Sequence, residues 1–209
     1  KTNMELTSST QCNFFEHRTL TLGDIQALRL VMNDIPYLKG LDGITKDLMY
    51  NNALSFYIPF LHAYRHSKHK NSSNFHLHGN MHMGMDAPSF ISFFGVNLLK
   101  CPEKVFTQCL ELMNYSINEL APAVCDIIET DEDFAAMVLL ILIHCNDFNK
   151  TIGTWQAPIM LLKQVFKDVD LYYNETKDDP SQWGNLILLL HHLNEASRDY
   201  QRLSEIFIY

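Results

Sequence analysis

The chain has 209 residues, of which 24 are acidic and 16 are basic, so its formal net charge at pH 7 is −8. A net negative chain is a poor candidate for binding nucleic-acid backbones, which need clustered Lys and Arg side chains. Hydrophobic residues make up 47% of the sequence and charged residues 19%, which excludes the composition of a disordered chain and predicts a substantial core.

Cysteine usage and apolar run length exclude two further classes. The five cysteines are scattered and form no C-x-x-C pair, so neither a disulfide framework nor a zinc finger is expected, and a reducing compartment fits best. The longest apolar stretch, residues 134–143, is about half of a membrane span. No association with a membrane is therefore expected.

Helical periodicity dominates the first part of the chain. In residues 21–38 the apolar side chains recur at steps of three and four: Ile25, Leu28, Met32 and Ile35. This spacing predicts a helix. Residues 45–66 carry two apolar stripes, which is typical of a helix buried between other layers, and Pro59 is expected to bend that helix.

Residues 75–83 give the only convincing strand signal. Apolar residues alternate with histidines around a central Gly79-Asn80 turn, which predicts a short β-hairpin. We expect its apolar side chains to face the core and its histidines to form a solvated face. The alternative is a zinc or copper site, because His76 and His78 share one face of a strand and His82 can join them across the turn.

Four further helices are predicted in the second half. Pro102 suits a first helical turn, and Thr130 with Asp133 resembles a capping box. The predicted helical segments are 102–120, 131–145, 154–173 and 180–207. The sequence thus predicts an all-α, layered helical domain with one small hairpin, in a single unit without an internal linker.

No catalytic motif is present, so no enzyme is expected. Adjacent helical residues point about 100° apart, so we expect one of His191 and His192 to face the core or a pocket. His144-Cys145 suggests a thiol nucleophile, but a buried structural cysteine is the expectation. The remaining feature is a helical shell that is either solid or hollow enough to hold an apolar ligand.

Several segments carry a family resemblance. Residues 35–49 read IPYLKGLDGITKDLM, which is similar to a helix-joining signature with Leu38, Thr45 and Lys46 in place of its Phe, Asp and Gln. Similar segments follow in order at residues 63–65, 75–83, 133–142, 179–193 and 205–209. Together they resemble the ligand-binding domain of nuclear hormone receptors, in its divergent, nematode-type branch.

The resemblance implies a three-layer antiparallel helical sandwich over residues 20–209. Residues 1–19 would be a hinge remnant, and the family's C-terminal activation helix would be missing. The implied role is ligand-regulated transcription in the nucleus. No cofactor is expected in these residues, because the family's zinc belongs to an upstream DNA-binding domain outside this sequence, and no nucleic-acid contact is expected from them.

The resemblance, combined with the apolar stripes, also implies a ligand site. A small lipophilic ligand is expected to contact Met32, Phe56, Phe60, Arg65, Met113 and His191. Arg65 would be the polar anchor, since its planar guanidinium suits a carboxylate. The alternatives are that Arg65 binds the hairpin backbone near residues 77–79 or meets solvent. The competing hypothesis for the whole chain is a filled-core helical module that binds partner proteins only.

Partner surfaces are implied in the same way. Asn33 and Asn51 take the coactivator-groove positions that are basic in the family, so the usual binding of transcriptional coregulators is expected to be weak. The last helix is expected to form a homo- or heterodimer contact through Tyr200 and Phe207. The alternative is that both aromatics pack within the monomer.

Overall fold

The computed structural model describes residues 10–69, 72–95, 102–144, 157–177 and 179–207. In these ranges the chain is mostly helical with a small three-stranded sheet, which confirms the predicted all-α character. The helices are α1 (Phe14–Asp34), α2 (Gly43–Ser67), α3 (Ala87–Phe94), α4 (Pro102–Tyr115), α5 (Ala121–Ile127), α6 (Asp131–His144), α7 (Ala157–Leu171) and α8 (Pro180–Phe207). The strands are β1 (Thr10–Gln11), β2 (Phe75–His78) and β3 (Met81–Met83).

Helix α1 begins earlier than the periodicity predicts. The side chain of Asn13 accepts hydrogen bonds from the backbone N–H groups of Phe15 and Glu16, and the Glu16 carboxylate accepts one from the Asn13 N–H. This reciprocal cap opens the helix. Residue 20, the predicted start of the domain, therefore lies inside α1. The helix ends at Asp34 because a residue that precedes a proline, here Ile35, disfavours the helical conformation.

Helix α2 has the largest number of buried residues among the described helices. Asp42 caps it by accepting a hydrogen bond of 2.9 Å from the Thr45 N–H. Its buried residues lie on both predicted stripes, and the helix packs against α5, α6 and α8. A helix surrounded in this way buries His62 in its later turns and leaves the nearby Arg65 only partly exposed.

The hairpin forms as predicted, but two of its three histidines, His76 and His78, are buried. Strands β2 and β3 pair antiparallel with a register of Phe75 opposite Met83, and the turn residue Gly79 has a φ of 51°. His76 and His78 are only 4% and 8% exposed. The prediction of a solvated face was wrong because α1 and α2 cover that side of β2. Strand β1, which was not predicted, pairs parallel to β3.

In the second half of the chain, the helices differ from the prediction mainly in where they begin and end. The path of α4 continues through a π-helical turn (Ser116–Leu120) into α5, seven residues beyond the predicted end. The cap at α6 is confirmed, since Asp133 N–H donates to Thr130 Oγ1 and Thr130 N–H donates to Asp133 Oδ2. Cys145 and residues 154–156 lie outside the described ranges. Helix α3, capped by Asp86, was not predicted.

The buried side chains form two clusters. The larger lies among α1, α2, α5, α6 and α8. The smaller lies between the sheet, α3 and α4, and it contains mainly aromatic and sulfur-bearing side chains: Cys12, Phe75, Leu77, Met83, Phe90, Phe93, Phe94, Cys109 and Met113. No helix in the described ranges is both long enough and apolar enough to cross a membrane.

Candidate functional site

An apolar cavity of about 240 Å³ lies within the smaller cluster. Its walls come from α1, α2, β2, β3, α3, α4 and α8. Most lining side chains are apolar, chiefly Phe75, Phe90, Phe93, Phe94, Met113 and Leu203. Three polar side chains, those of His17, His62 and Tyr200, also line the cavity. The cavity thus offers an apolar interior with a polar corner.

Helix α3 shapes the aromatic side of the cavity. The rings of Phe90 and Phe94 have centroids 4.8 Å apart, and so do those of Phe93 and Phe94. Such tilted and edge-to-face pairs are favourable arrangements for aromatic rings. Cys109 lines the opposite wall from α4. Burial raises the pKa of its thiol to about 12, so this cysteine is an apolar wall residue and not a nucleophile.

The polar corner is built around His62. Its Nδ1 lies 2.7 Å from the Tyr200 hydroxyl in a hydrogen bond that joins α2 to α8. Among the described residues, His62 Nε2 and His17 Nδ1 are buried without a hydrogen-bond partner. The rings of His17 and His62 have centroids 5.1 Å apart. Two ring nitrogens at this corner therefore remain available to a ligand.

Burial keeps the corner uncharged. It lowers the pKa of His17 to about 4 and that of His62 well below its usual range, and the nearby His78 and Arg65 reinforce both shifts. Burial also raises the pKa of Tyr200. All three side chains are therefore neutral near pH 7, and they can exchange hydrogen bonds with a neutral polar group without burying a charge.

Arg65 lies behind this corner in an ion pair and does not line the cavity. Its two terminal nitrogens donate to the two carboxylate oxygens of Asp24 at 2.8 and 2.7 Å, and one of them also donates to the Leu77 carbonyl at 3.2 Å. The guanidinium fork is thus occupied by a carboxylate of α1 and by the backbone of β2. The alternative that Arg65 binds the hairpin backbone agrees with this arrangement.

The other residues expected to contact a ligand are dispersed. Met113 lines the cavity. Met32 and Phe60 are buried in the larger cluster, and Phe56 packs against that cluster. His191 is exposed on α8, whereas its neighbour His192 bonds the Tyr115 hydroxyl at 2.8 Å. The structure therefore gathers one of the six predicted ligand contacts at the cavity.

The residues expected to contact partners also lie in different surroundings. Asn33 and Asn51 are exposed on α1 and α2. The Tyr200 hydroxyl points inward to His62, which agrees with the alternative that Tyr200 packs within the monomer. Phe207 belongs to α8, but its side chain lies outside the described part of the structure. Tyr200 is thus a cavity residue.

Two histidines of the corner were missed from the sequence. His17 precedes the periodic segment on which the first helix was predicted, and His62 lies among the apolar residues of α2. A histidine within an otherwise apolar helical stretch is the signal that points to His62. His76, by contrast, stacks on His69 at 3.6 Å and bonds Ser72 Oγ at 2.8 Å, away from this corner.

Comparison with known proteins gives no match: no family model, no curated protein and no solved structure is similar to this chain.

Proposed function

We propose that this chain is the ligand-binding and regulatory domain of a nuclear hormone receptor-type transcription factor. It would bind a small lipophilic ligand and regulate transcription in the nucleus. The observation that carries the proposal is the partly open apolar cavity lined by α1, α2, α3, α4, α8 and the hairpin. The deeply packed α2 and the hairpin beside it support the three-layer helical sandwich, which is part of the same proposal.

The size of the cavity limits the ligand. Its volume of about 240 Å³ is below the roughly 300–1,000 Å³ of pockets for drug-sized molecules. It exceeds the cavity of about 150 Å³ that holds benzene in an engineered protein. We infer a ligand of about one ring with a short alkyl chain. One hydroxyl group on it would meet the free nitrogens of His17 and His62.

Partner binding belongs to the same proposal. On α8, Ile187 and Leu188 are 36% and 66% exposed, so they are better candidates than Tyr200 for a homo- or heterodimer contact. On α1 and α2, the exposed Leu30 and Leu48 each precede a groove position, Asn33 or Asn51, by one helical turn. These apolar side chains would form the surface for transcriptional coregulators.

The experiment fills the cavity with a bulky side chain and uses the neighbouring position on α4 as the control. Cys109 lines the cavity, whereas the next residue, Leu110, is 36% exposed on α4. Binding of 4-propylphenol is measured by calorimetry on the parent, Cys109→Trp and Leu110→Trp, and the purified parent is examined by native mass spectrometry for a retained small molecule. We expect saturable binding that Cys109→Trp weakens at least tenfold and Leu110→Trp leaves unchanged.

The same experiment distinguishes the proposal from the competing hypothesis. A filled-core helical module that binds only proteins would retain no small molecule, and neither tryptophan variant would change its response to the phenol. Circular dichroism of both variants checks that each remains folded. Equal weakening by both variants would also contradict the proposal, because a non-specific effect on α4 would then explain the loss.

A further inference from the structure

Three histidines from three separate elements converge at the polar corner: His17 of α1, His62 of α2 and His78 of β2. Each offers one ring nitrogen, and these nitrogens all lie within 4.8 Å of one another. Tetrahedral zinc binds imidazole nitrogens at about 2.0–2.1 Å, which places two such nitrogens roughly 3.4 Å apart. Small side-chain rotations would close the remaining difference.

Two of the three histidines have a ring nitrogen without a partner, whereas His78 has Nδ1 at 3.5 Å from Asp24 Oδ2 and Nε2 at 3.5 Å from Thr21 Oγ1, a long contact that an ion would replace. Buried polar atoms are hydrogen-bonded in the large majority of cases. Here His17 Nδ1 and His62 Nε2 are both buried and unpartnered within the described residues. Two neighbouring imidazole nitrogens that are both acceptors cannot satisfy each other. A cation between them satisfies both.

The outer contacts match those of metal-binding histidines. A ligating histidine usually holds its second ring nitrogen against a carboxylate, a carbonyl or another polar group. His62 places Nδ1 on the Tyr200 hydroxyl at 2.7 Å. His78 places Nδ1 at 3.5 Å from Asp24 Oδ2. Asp24 is itself held by Arg65 through two hydrogen bonds, so its carboxylate is fixed and its charge offsets the guanidinium.

We propose that His17, His62 and His78 bind one zinc ion, with the remaining coordination position directed to the apolar cavity. A set of imidazoles without thiolates suits zinc among the common cations, and three histidines with an open fourth position form an established zinc geometry. His17 and His62 belong to the histidine cluster and also line the cavity. The open coordination position therefore faces the space where a small ligand would lie. In the metal-free chain the same nitrogens of His17 and His62 would meet the hydroxyl of the lipophilic ligand, so the zinc ion and that hydroxyl are alternative partners and their binding is measured separately.

The test measures the binding of zinc in the absence of any organic ligand. The purified chain is stripped with a chelator and titrated with Zn²⁺ by calorimetry, and with Co²⁺ by visible absorption, which reports tetrahedral coordination. We expect one ion per chain. His17→Gln, which removes a ligand but keeps a similar size, should weaken binding by more than tenfold and abolish the tetrahedral Co²⁺ spectrum.

A matched variant addresses the hairpin alternative, in which His76, His78 and His82 are the ligands. His82→Gln lies on β3 in the same hairpin, outside the proposed cluster, and it should leave the zinc affinity unchanged. Tyr200→Phe keeps the ring but removes the outer hydrogen bond, and it should weaken zinc binding about tenfold. Circular dichroism checks the fold of every variant.

Three results would overturn the proposal of a zinc site. These are no saturable zinc binding by the parent, an affinity insensitive to His17→Gln, or a larger loss from His82→Gln than from His17→Gln. None of them bears on the binding of 4-propylphenol to Cys109→Trp, so failure of the zinc site and failure of the proposed function remain distinguishable.

Discussion

The hydroxyl of Tyr173 donates a hydrogen bond of 2.7 Å to Oδ1 of Asp133, and both residues are buried. The other carboxylate oxygen of Asp133 accepts from the backbone and side chain of Thr130. Burial alone would raise the pKa of this carboxyl, but the hydrogen bonds from Tyr173 and Thr130 outweigh burial and lower it. The buried charge therefore stabilises the fold.

Removal of this bond should have a pH-dependent cost. Tyr173→Phe is expected to lower the free energy of unfolding by about 1.5–3 kcal/mol at pH 7, because it removes a hydrogen bond to a charged group. Since the folded pKa of Asp133 lies below its unfolded value, the stabilisation is present above about pH 4 and is lost as the pH falls through the folded pKa. Urea unfolding at pH 7 and pH 3 measures the difference.

The neighbouring residue provides the control for that measurement. Tyr172 is only partly buried, and Lys177 lies over its ring. Tyr172→Phe is expected to cost less, with no dependence on Asp133. A penalty for Tyr173→Phe that is equal at both pH values would contradict the assignment of the charge to Asp133.

Arg65→Met should destabilise the fold without changing ligand affinity. The substitution leaves the carboxylate of Asp24 without its two hydrogen bonds, so we expect a loss of about 1.5–3 kcal/mol in unfolding free energy. Arg65 does not line the cavity, and the affinity for 4-propylphenol should be unchanged. Chemical unfolding and calorimetry measure the two quantities. A selective loss of affinity for a fatty acid, without loss of stability, would restore Arg65 as a ligand anchor.

Two glycines should respond to alanine in opposite directions. A Cβ on Gly84 would overlap the side chain of Ser89, including its Oγ at 2.7 Å, so Gly84→Ala should cost roughly 1–3 kcal/mol. Gly23 is exposed within α1 and its Cβ would meet nothing within 4 Å. Gly23→Ala should therefore stabilise the fold by about 0.5–1 kcal/mol. Thermal unfolding of both variants tests this prediction. A change in stability of the same sign in both variants would contradict it.

Thiol labelling should distinguish two free cysteines. With a pKa of about 12, the Cys109 thiol is ionised in roughly one molecule in ten thousand at pH 8, and it is also buried. Cys125 is partly exposed on α5. Iodoacetamide should modify Cys125 well before Cys109, as followed by peptide mass spectrometry. Rapid labelling of Cys109 in the folded chain would show that its wall of the cavity opens readily.

An L-x-x-L-L peptide should show no saturable binding to the parent chain. Asn33 and Asn51 supply no cation for the C-terminus of a docked peptide helix, and such a charge is worth roughly 0.3–1 kcal/mol. Because both asparagines are exposed, Asn33→Lys with Asn51→Lys should fold normally and raise the peptide affinity. Fluorescence anisotropy of a labelled peptide measures both proteins. Micromolar binding by the parent would contradict this expectation.

The features that the sequence predicted correctly depend on local patterns. The hairpin, the double stripe of α2 and the Thr130–Asp133 cap each depend on residues a few positions apart. The features it missed depend on distant contacts. Strand β1 exists only because β3 pairs with it 71 residues later. The side of β2 that carries His78 is buried because α1 and α2 cover it, and periodicity within the hairpin cannot report that.

The candidate site was less predictable than the fold for the same reason. His17, His62 and His78 come from three elements and meet only in the folded chain. Arg65 was expected to anchor a ligand, with the hairpin backbone or solvent as the alternatives, and it donates to the Leu77 carbonyl of the hairpin. Its partner Asp24 lies 41 residues earlier on another helix, and neither residue carries a local sign of that pairing.

The contribution of α8 to the cavity has a consequence for the order of events during synthesis. Tyr200 and Leu203 line a space whose other walls begin at Phe14, so the space is incomplete until the segment that ends at Leu203 has left the ribosome. A small molecule therefore cannot guide the nascent chain while its first helices form. It can act only on the finished fold, where binding would stabilise the folded state by an amount that grows with the logarithm of the free ligand concentration above Kd.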